Sequence, residues 1–343
     1  MFFFLLSFRA SAQQSDGLFV SLRGDHCGYI DRSGAFRIAP GFEGCLDFSD
    51  EYAPVSIQHQ WGFIDKRGVF VITPRFEEIR WSFSEELAAV KLHGKWGYID
   101  TRGAFVIPPK FEYAQGFSGD RAVVLVGDKH GVIDKSGNLV SDLFDFSDWQ
   151  YSEGLLAVQE NELWGFIDRH GAMVIPPQFH HALNFSEGLA AVEFDGPSDQ
   201  WGFIDHSGKV VIGPRFSDAG YFEGGMAPAE IHSKYGYTDK QGNIVIQPQF
   251  DYASAFSEGL ACVKDAHGKY GFIDRSGLMV IDAKYDMSFG FNQGLAMVSR
   301  NGKWHWEEMT PLGYDGDWGY VGHAGSEIWS ERSPDQKPSP EGK

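Results

Sequence analysis

The apolar residues of this chain fall into short extended runs rather than helical stripes. In Leu87-Ala88-Ala89-Val90-Lys91-Leu92, Leu87 and Ala89 face one way along a strand while Ala88, Val90 and Leu92 face the other, so both faces are largely apolar. His93-Gly94-Lys95 then leads into Trp96-Gly97-Tyr98-Ile99-Asp100, the turn Thr101-Arg102-Gly103, and Phe105-Val106-Ile107 ahead of Pro108 and Pro109. Asp placed three residues before Gly suits a tight turn, because the carboxylate bonds the backbone and Gly accepts positive φ. Proline is expected to close the last strand, since it cannot donate to a ladder. The pattern therefore predicts a three-stranded antiparallel meander, and no segment long enough for a helix carries a 3.6-residue period.

This unit recurs along the chain. The glycine after the tryptophan slot appears at Gly28, Gly62, Gly97, Gly131, Gly165, Gly202, Gly236 and Gly271, about 35 residues apart, a period that belongs to solenoids and propellers. A ninth, worn copy stands at Trp318-Gly319-Tyr320-Val321, after an insertion, and Leu18 to Leu22 supplies the first strand of the first unit. A small sheet that is apolar on both faces must be sandwiched between neighbours, so the units stack. The short Pro-x-Phe-x-x-Ala segment is available as a fourth, edge-like strand.

These motifs, K-W-G-[FY]-I-D-x-x-G-x-x-V-I-P-P-x-[FY] and then F-S-E-G-L-A-x-V, resemble the WG-repeat family, also called KWG repeats, from about Leu18 to about Ile328. The resemblance implies a bacterial, often exported β-repeat protein with no shared catalytic residues. The expected fold is all-β: tandem meanders arranged as a propeller-like ring or spiral, with an open β-solenoid as the alternative. Nine units exceed the four to eight blades usual in closed propellers. Some copies depart from the pattern. The tryptophan slot holds Cys27, His130, Tyr235 and Tyr270, and the fourth unit has Ser141-Asp142-Leu143-Phe144 in place of P-P-x-F. Aromatic packing accounts for most of these; the place around His130 and Asp142 reads as drift, with a binding notch as the rival reading.

Composition adds compartment and partner class. The 42 Gly in 343 residues, about 12%, are the punctuation of the turns, and 43% hydrophobic content excludes a disordered chain. A net charge of −18 with no basic block argues against nucleic acid and anionic membranes as partners. Phe2 to Phe8, then Arg9 and Ala10-Ser11-Ala12, resembles the end of a secretory signal, so residues 1–12 are expected to be its remnant, although positive residues ahead of the apolar run are missing. The repeat domain then spans 18–329 and a polar, proline-containing tail, expected to be disordered, spans 330–343. No other run approaches the length of a membrane span. The three cysteines, Cys27, Cys45 and Cys262, lack metal or framework spacing. Free small core residues are the favoured reading, with a Cys27–Cys45 bridge open if the chain is exported.

Candidate chemistry is sparse. Asp31, Asp65, Asp100, Asp134, Asp168, Asp205, Asp239 and Asp274 would form a circle of carboxylates in a ring, which hard cations favour, but turn-capping is the stronger reading of Asp before x-x-Gly. Ser84, Ser186 and Ser257 of the F-S-E-G turns have no repeated His to activate them. His180 and His181 point to opposite faces of a strand, and His130, His170, His206, His232 and His323 are scattered, so no metal site or cofactor is expected. The most individual segment is the insertion Lys303 to Asp317, where Trp304, Trp306 and Tyr314 stand near carboxylates. It reads as a terminal cap or as a ligand-binding lip. The function expected is a non-catalytic exported scaffold for protein or cell-envelope partners. The alternatives are a carbohydrate-binding protein using the aromatic insertion and, third, a hydrolase with an unrecognised site.

Overall fold

The computed structural model describes residues 17–329 except 149, 197–199 and 308–309, and of 303–316 and 329 it describes the backbone alone. The expected export remnant, 1–12, and the tail, 330–343, lie outside the described residues. All regular structure in the described chain is strand, arranged as nine small antiparallel sheets. Each sheet is one blade of a nine-bladed propeller.

Blade 6 shows the plan. Its strands run His181–Ala182, Leu189–Phe194, Gln200–Asp205 and Val210–Phe216, paired in that order. The two-residue strand is the Phe-x-x-Ala segment of the preceding repeat, which crosses over and pairs with the next unit, Ala182 opposite Val192. Among the described residues seven blades have this short strand; blades 1 and 3 lack it and blade 4 lacks the outer strand instead, so six sheets have four strands and three have three. In blade 3 a single bridge, Glu78 to Lys91, stands where the short strand would be. The second strand is buried on both faces, as its pattern predicts: Ala190, Ala191 and Val192 are all buried. Val71, Val106, Val174, Val211, Val245 and Val280 occupy one repeated position on the outer strands and are exposed, which makes those strands the circumference.

One expectation fails at the prolines. They do not end the outer strand, which continues through them to the phenylalanine, as in Phe105–Phe111. Ile107 faces Tyr98 and Phe111 faces Trp96, so four steps on the outer strand match two on its neighbour. The surplus forms a β-bulge, a place where proline costs no ladder bond. The bulge arches over the glycine of the Trp-Gly pair: a Cβ on Gly97 would lie 2.6 Å from the Ile107 carbonyl oxygen and 2.7 Å from the Pro109 nitrogen. Glycine after tryptophan and proline after isoleucine are thus two halves of one contact. Blade 4 lacks the prolines; there the side chains of Leu139 and Leu143 cover Gly131, and Phe144 pairs directly with His130.

Buried cores hold neighbouring blades together. Between blades 6 and 7, Leu189, Trp201, Phe203 and Ile212 pack against Phe222, Ala227 and Ala229. In most junctions the outer-strand isoleucine also seats on the turn glycine of the next blade, Ile175 on Gly208 and Ile212 on Gly242, whereas Val140 and Ser141 cover Gly171 and no side chain covers Gly325. The same seating joins the ends of the chain, where Ile328 of blade 9 lies on Gly34 of blade 1. Tyr320 Oη donates to the Val20 carbonyl at 3.1 Å, and the Phe19 and Tyr320 rings are 5.5 Å apart. The ring is closed, and the open solenoid is not what these repeats build.

Cys27 and Cys45 are joined in a disulfide, while Cys262 is a free, buried thiol. This corrects the expectation of free core cysteines. The tryptophan slot of blade 1 and the alanine slot of the short strand in blade 2 adjoin, a proximity that a spacing of 18 residues does not reveal.

Candidate functional site

Most of the repeated polar residues build turns and junctions. In each D-x-x-G turn the aspartate Oδ1 accepts from the backbone two and four residues on, as Asp65 does from Arg67 at 2.9 Å and Val69 at 3.0 Å. The backbone bond from Val69 is the main reason the Asp65 carboxyl sits below its ordinary range, and the Ser33 hydroxyl holds Asp31 down to about 2. The carboxylate circle is therefore engaged in capping, and among the described residues no three His, Cys, Asp or Glu side chains are grouped to hold a metal.

The F-S-E-G turns act between blades, which sequence reasoning did not detect. Ser84 donates to the Phe117 carbonyl at 2.6 Å, Ser152 to Phe185 at 2.6 Å and Ser257 to Phe291 at 2.7 Å, one repeat ahead each time; Ser186 donates to Phe222 in the same way. The following glutamate accepts from the next turn's backbone: Glu153 from Gly188 at 3.0 Å, Glu258 from Gly294 at 2.8 Å. It does so from the left-handed region, with φ of 51° at Glu153 and 52° at Glu258. A basic side chain after the turn aspartate then meets that glutamate: Lys135 with Glu85, His206 with Glu153, Lys240 with Glu187. Offsets of 33 to 36 residues were the available signal, because they equal the repeat length.

The tryptophan slots form a second chain of contacts with the short strands. Trp96 meets Tyr113, His130 meets Phe146, Phe146 meets Trp164, and His181 lies between Trp164 and Trp201 at 5.3 and 5.4 Å. Tyr235, Tyr252 and Tyr270 continue it. Ring replacing ring explains His130, Tyr235 and Tyr270. His130 is buried with Nδ1 3.0 Å from Ser147 Oγ, and burial lowers its pKa to about 4, so it is neutral and packs as an aromatic. His181 Nδ1 and Asn184 Oδ1 are buried polar atoms without a partner. His180 faces away from this chain, toward Asp195.

What stands apart is the insertion. It is not a loop: it lengthens the second and third strands of blade 9 to Leu295–Glu307 and Thr310–Gly322, 13 residues each against six in Leu189–Phe194. Seven further residues at about 3.3 Å per residue make a ribbon reaching roughly 20 Å past the ring. It leaves from the face that carries the tight turns between second and third strands, opposite the F-S-E-G turns. Trp304 pairs with Tyr314, Lys303 with Asp315 and Trp306 with Pro311, with register shifts on either side of Lys303 to His305. The fold thus brings Trp304 and Tyr314 opposite each other, with Trp306 two residues along the same strand; their side chains lie outside the described residues.

Repeat boundaries, bulge and junctions agree with one family model, the WG containing repeat, which matches at 28–58, 61–96, 96–129, 131–164, 164–196, 201–235, 235–269 and 270–304. The chain belongs to the WG containing repeat family. Its WG repeats cover well over half of the sequence, and the blades coincide with them. No curated protein matches the chain. Among solved structures, a crystal structure of a eukaryotic initiation factor is similar with a TM-score of 0.63 at 11% identity, covering 93% of this chain and 100% of that one. BamB from Moraxella catarrhalis gives 0.45 at 11% identity, covering 84% and 96%, and Kluyveromyces lactis Hsv2p gives 0.41 at 9%, covering 79% and 98%. The first supports the fold; the other two carry no further weight.

Proposed function

We propose that this WG-repeat propeller is a non-catalytic scaffold, exported from the cytoplasm, that binds a protein or cell-envelope partner through the ribbon of blade 9. The observation that carries this reading is the ribbon itself. Among the described residues, the second and third strands of blades 1 to 5, 7 and 8 are joined by turns of two to five residues, whereas blade 9 extends its pair well past the ring. The repeated Asp, Ser and Glu side chains are committed to turns and junctions, which leaves recognition to segments outside the repeat. Export is supported by the Phe2 to Ala12 sequence and by the Cys27–Cys45 bridge, since disulfides persist in oxidising compartments.

The test shortens the ribbon, replacing residues 301–316 by a two-residue Asn-Gly turn so that the pairing at Arg300 and Asp317 is kept. Affinity capture from the extracytoplasmic fraction should recover a partner with the whole chain and lose it with the shortened one. Equal recovery by both would contradict the reading. A second reading, carbohydrate binding, is favoured by the Trp304–Tyr314 pair, because aromatic faces stack on sugars. Under it, Trp304→Ala with Trp306→Ala abolishes retention on a polysaccharide array without changing protein capture.

A further inference from the structure

The nine junctions between blades are not equivalent. Among the described residues, eight clusters of buried apolar side chains occupy the eight junctions from blades 1 and 2 to blades 8 and 9. None spans blades 9 and 1. That junction rests on the Phe19–Tyr320 ring contact, the Tyr320–Val20 bond, Ile328 on Gly34, and Arg32 donating to the Gln293 carbonyl at 3.2 Å. A cavity of about 560 Å³ opens there, bounded by Ser21, Arg23, Phe36 and, across the seam, Glu327 and Ile328. No strand is exchanged across it, because blade 1 uses only the first strands of the chain and blade 9 only the last. Blade 1 also has three strands, with no short inner strand among the described residues. Its other side is tied to blade 2 by the disulfide Cys27–Cys45, a cross-link in addition to the peptide chain that runs from Phe42 to Gly44.

We propose that Cys27–Cys45 is a thiol-sensitive latch: it keeps blade 1 docked in a ring whose weakest seam lies between blades 9 and 1, and its reduction releases blade 1 as a unit. A dithiol such as dithiothreitol supplies the two electrons. Its thiolate attacks one sulfur to give a mixed disulfide, its second thiol closes on the first, and the products are two cysteine thiols and the cyclic disulfide of the reagent. Without the disulfide, blade 1 is held by its core with blade 2, the Tyr29 hydroxyl on the Leu46 carbonyl, Ile38 on Gly68, the peptide chain and the seam contacts. Opening exposes the blade 2 face that blade 1 covers and the blade 9 edge at Glu327 and Ile328.

The experiment is hydrogen exchange with mass spectrometry on the full chain, oxidised and after dithiothreitol, with Cys27→Ser/Cys45→Ala as a second route to the unlinked state. Alanine is the residue this slot holds in blades 4, 6, 7 and 8, so the variant suits the fold. Reduction and substitution should each speed exchange in residues 19–42 by about tenfold or more relative to blades 5 to 7, a local opening and not a global one. Maleimide labelling should find two new thiols, with Cys262 protected. The proposal is overturned if blade 1 stays as protected as blade 6 in both unlinked proteins, if all nine blades accelerate together, or if the native chain carries three free thiols.

Discussion

The junction between blades 6 and 7 and the one between blades 9 and 1 use the same seating of isoleucine on glycine, yet they differ in depth. At the first, Ile212 is 3% exposed and belongs to a core with Phe203, Phe216 and Phe222. At the second, Ile328 is only half-buried beside a cavity. Ser186 links blades 6 and 7, whereas blade 9 has Asn292 in the serine position. The repeat thus supplies the geometry of closure even where the chain ends meet, while the energy of closure depends on aromatic and aliphatic residues that the last copy has partly lost. A ring can therefore close at nine blades without nine equally strong joints.

Truncating the two isoleucines should separate the two junctions most strongly. Ile212→Ala should cost about 3 kcal/mol, within the range for large-to-small core changes, and Ile328→Ala about 1 kcal/mol or less. Urea unfolding of the two variants reads the contrast, and equal losses would remove the distinction between the seam and the interior.

Next in size is His130, the neutral histidine in a tryptophan slot. Its folded pKa is lowered from 6.5 to about 4 by burial, so the unfolded chain binds the extra proton between those values. Stability is thus full above about pH 6.5 and falls as the pH drops toward 4, by on the order of 2–3 kcal/mol. His130→Tyr, the residue found in this slot at Tyr235 and Tyr270, should flatten the urea midpoint across that window. An unchanged slope would show that His130 is not the group responsible.

Ser186→Ala should then cost about 1 kcal/mol, the worth of one intramolecular hydrogen bond, and Asn292→Ala close to nothing. The smallest effect belongs to the turn aspartates. Their carboxyl pKa values are depressed, so their contribution is present above about pH 4 and is lost as the pH falls through the folded values, about 2 for Asp31. Asp31→Asn should remove part of that acid sensitivity, seen as a flatter midpoint between pH 4 and 2.

Much of this architecture is legible in the residues. Leu87 to Leu92, Trp96 to Asp100 and Phe105 to Ile107 announce strands through alternation, and Asp before x-x-Gly announces the turns, because those signals are local. The bulge over Gly97 is local in sequence too, but its partners are ten and twelve residues away, and proline signals the donor it lacks more plainly than the bulge it permits. Contacts between blades were hidden for a different reason. The Glu153 carboxylate and the Gly188 amide meet only once the stacking is known, as do Cys27 and Cys45. The candidate site is legible as far as its composition: Trp304, Trp306 and Tyr314 mark the insertion, and the fold adds that it is a ribbon in which Trp304 and Tyr314 are paired in register.

The central claim, a closed ring whose ends meet, is tested most directly by the distance between spin labels placed at Ser33 and Gly325 on the full chain. The account predicts one narrow distribution at the short end of the measurable range, since the neighbouring Gly34 and Ile328 are in contact. A population near about 80 Å, eight sheet spacings of about 10 Å each, would mean an open stack and contradict it.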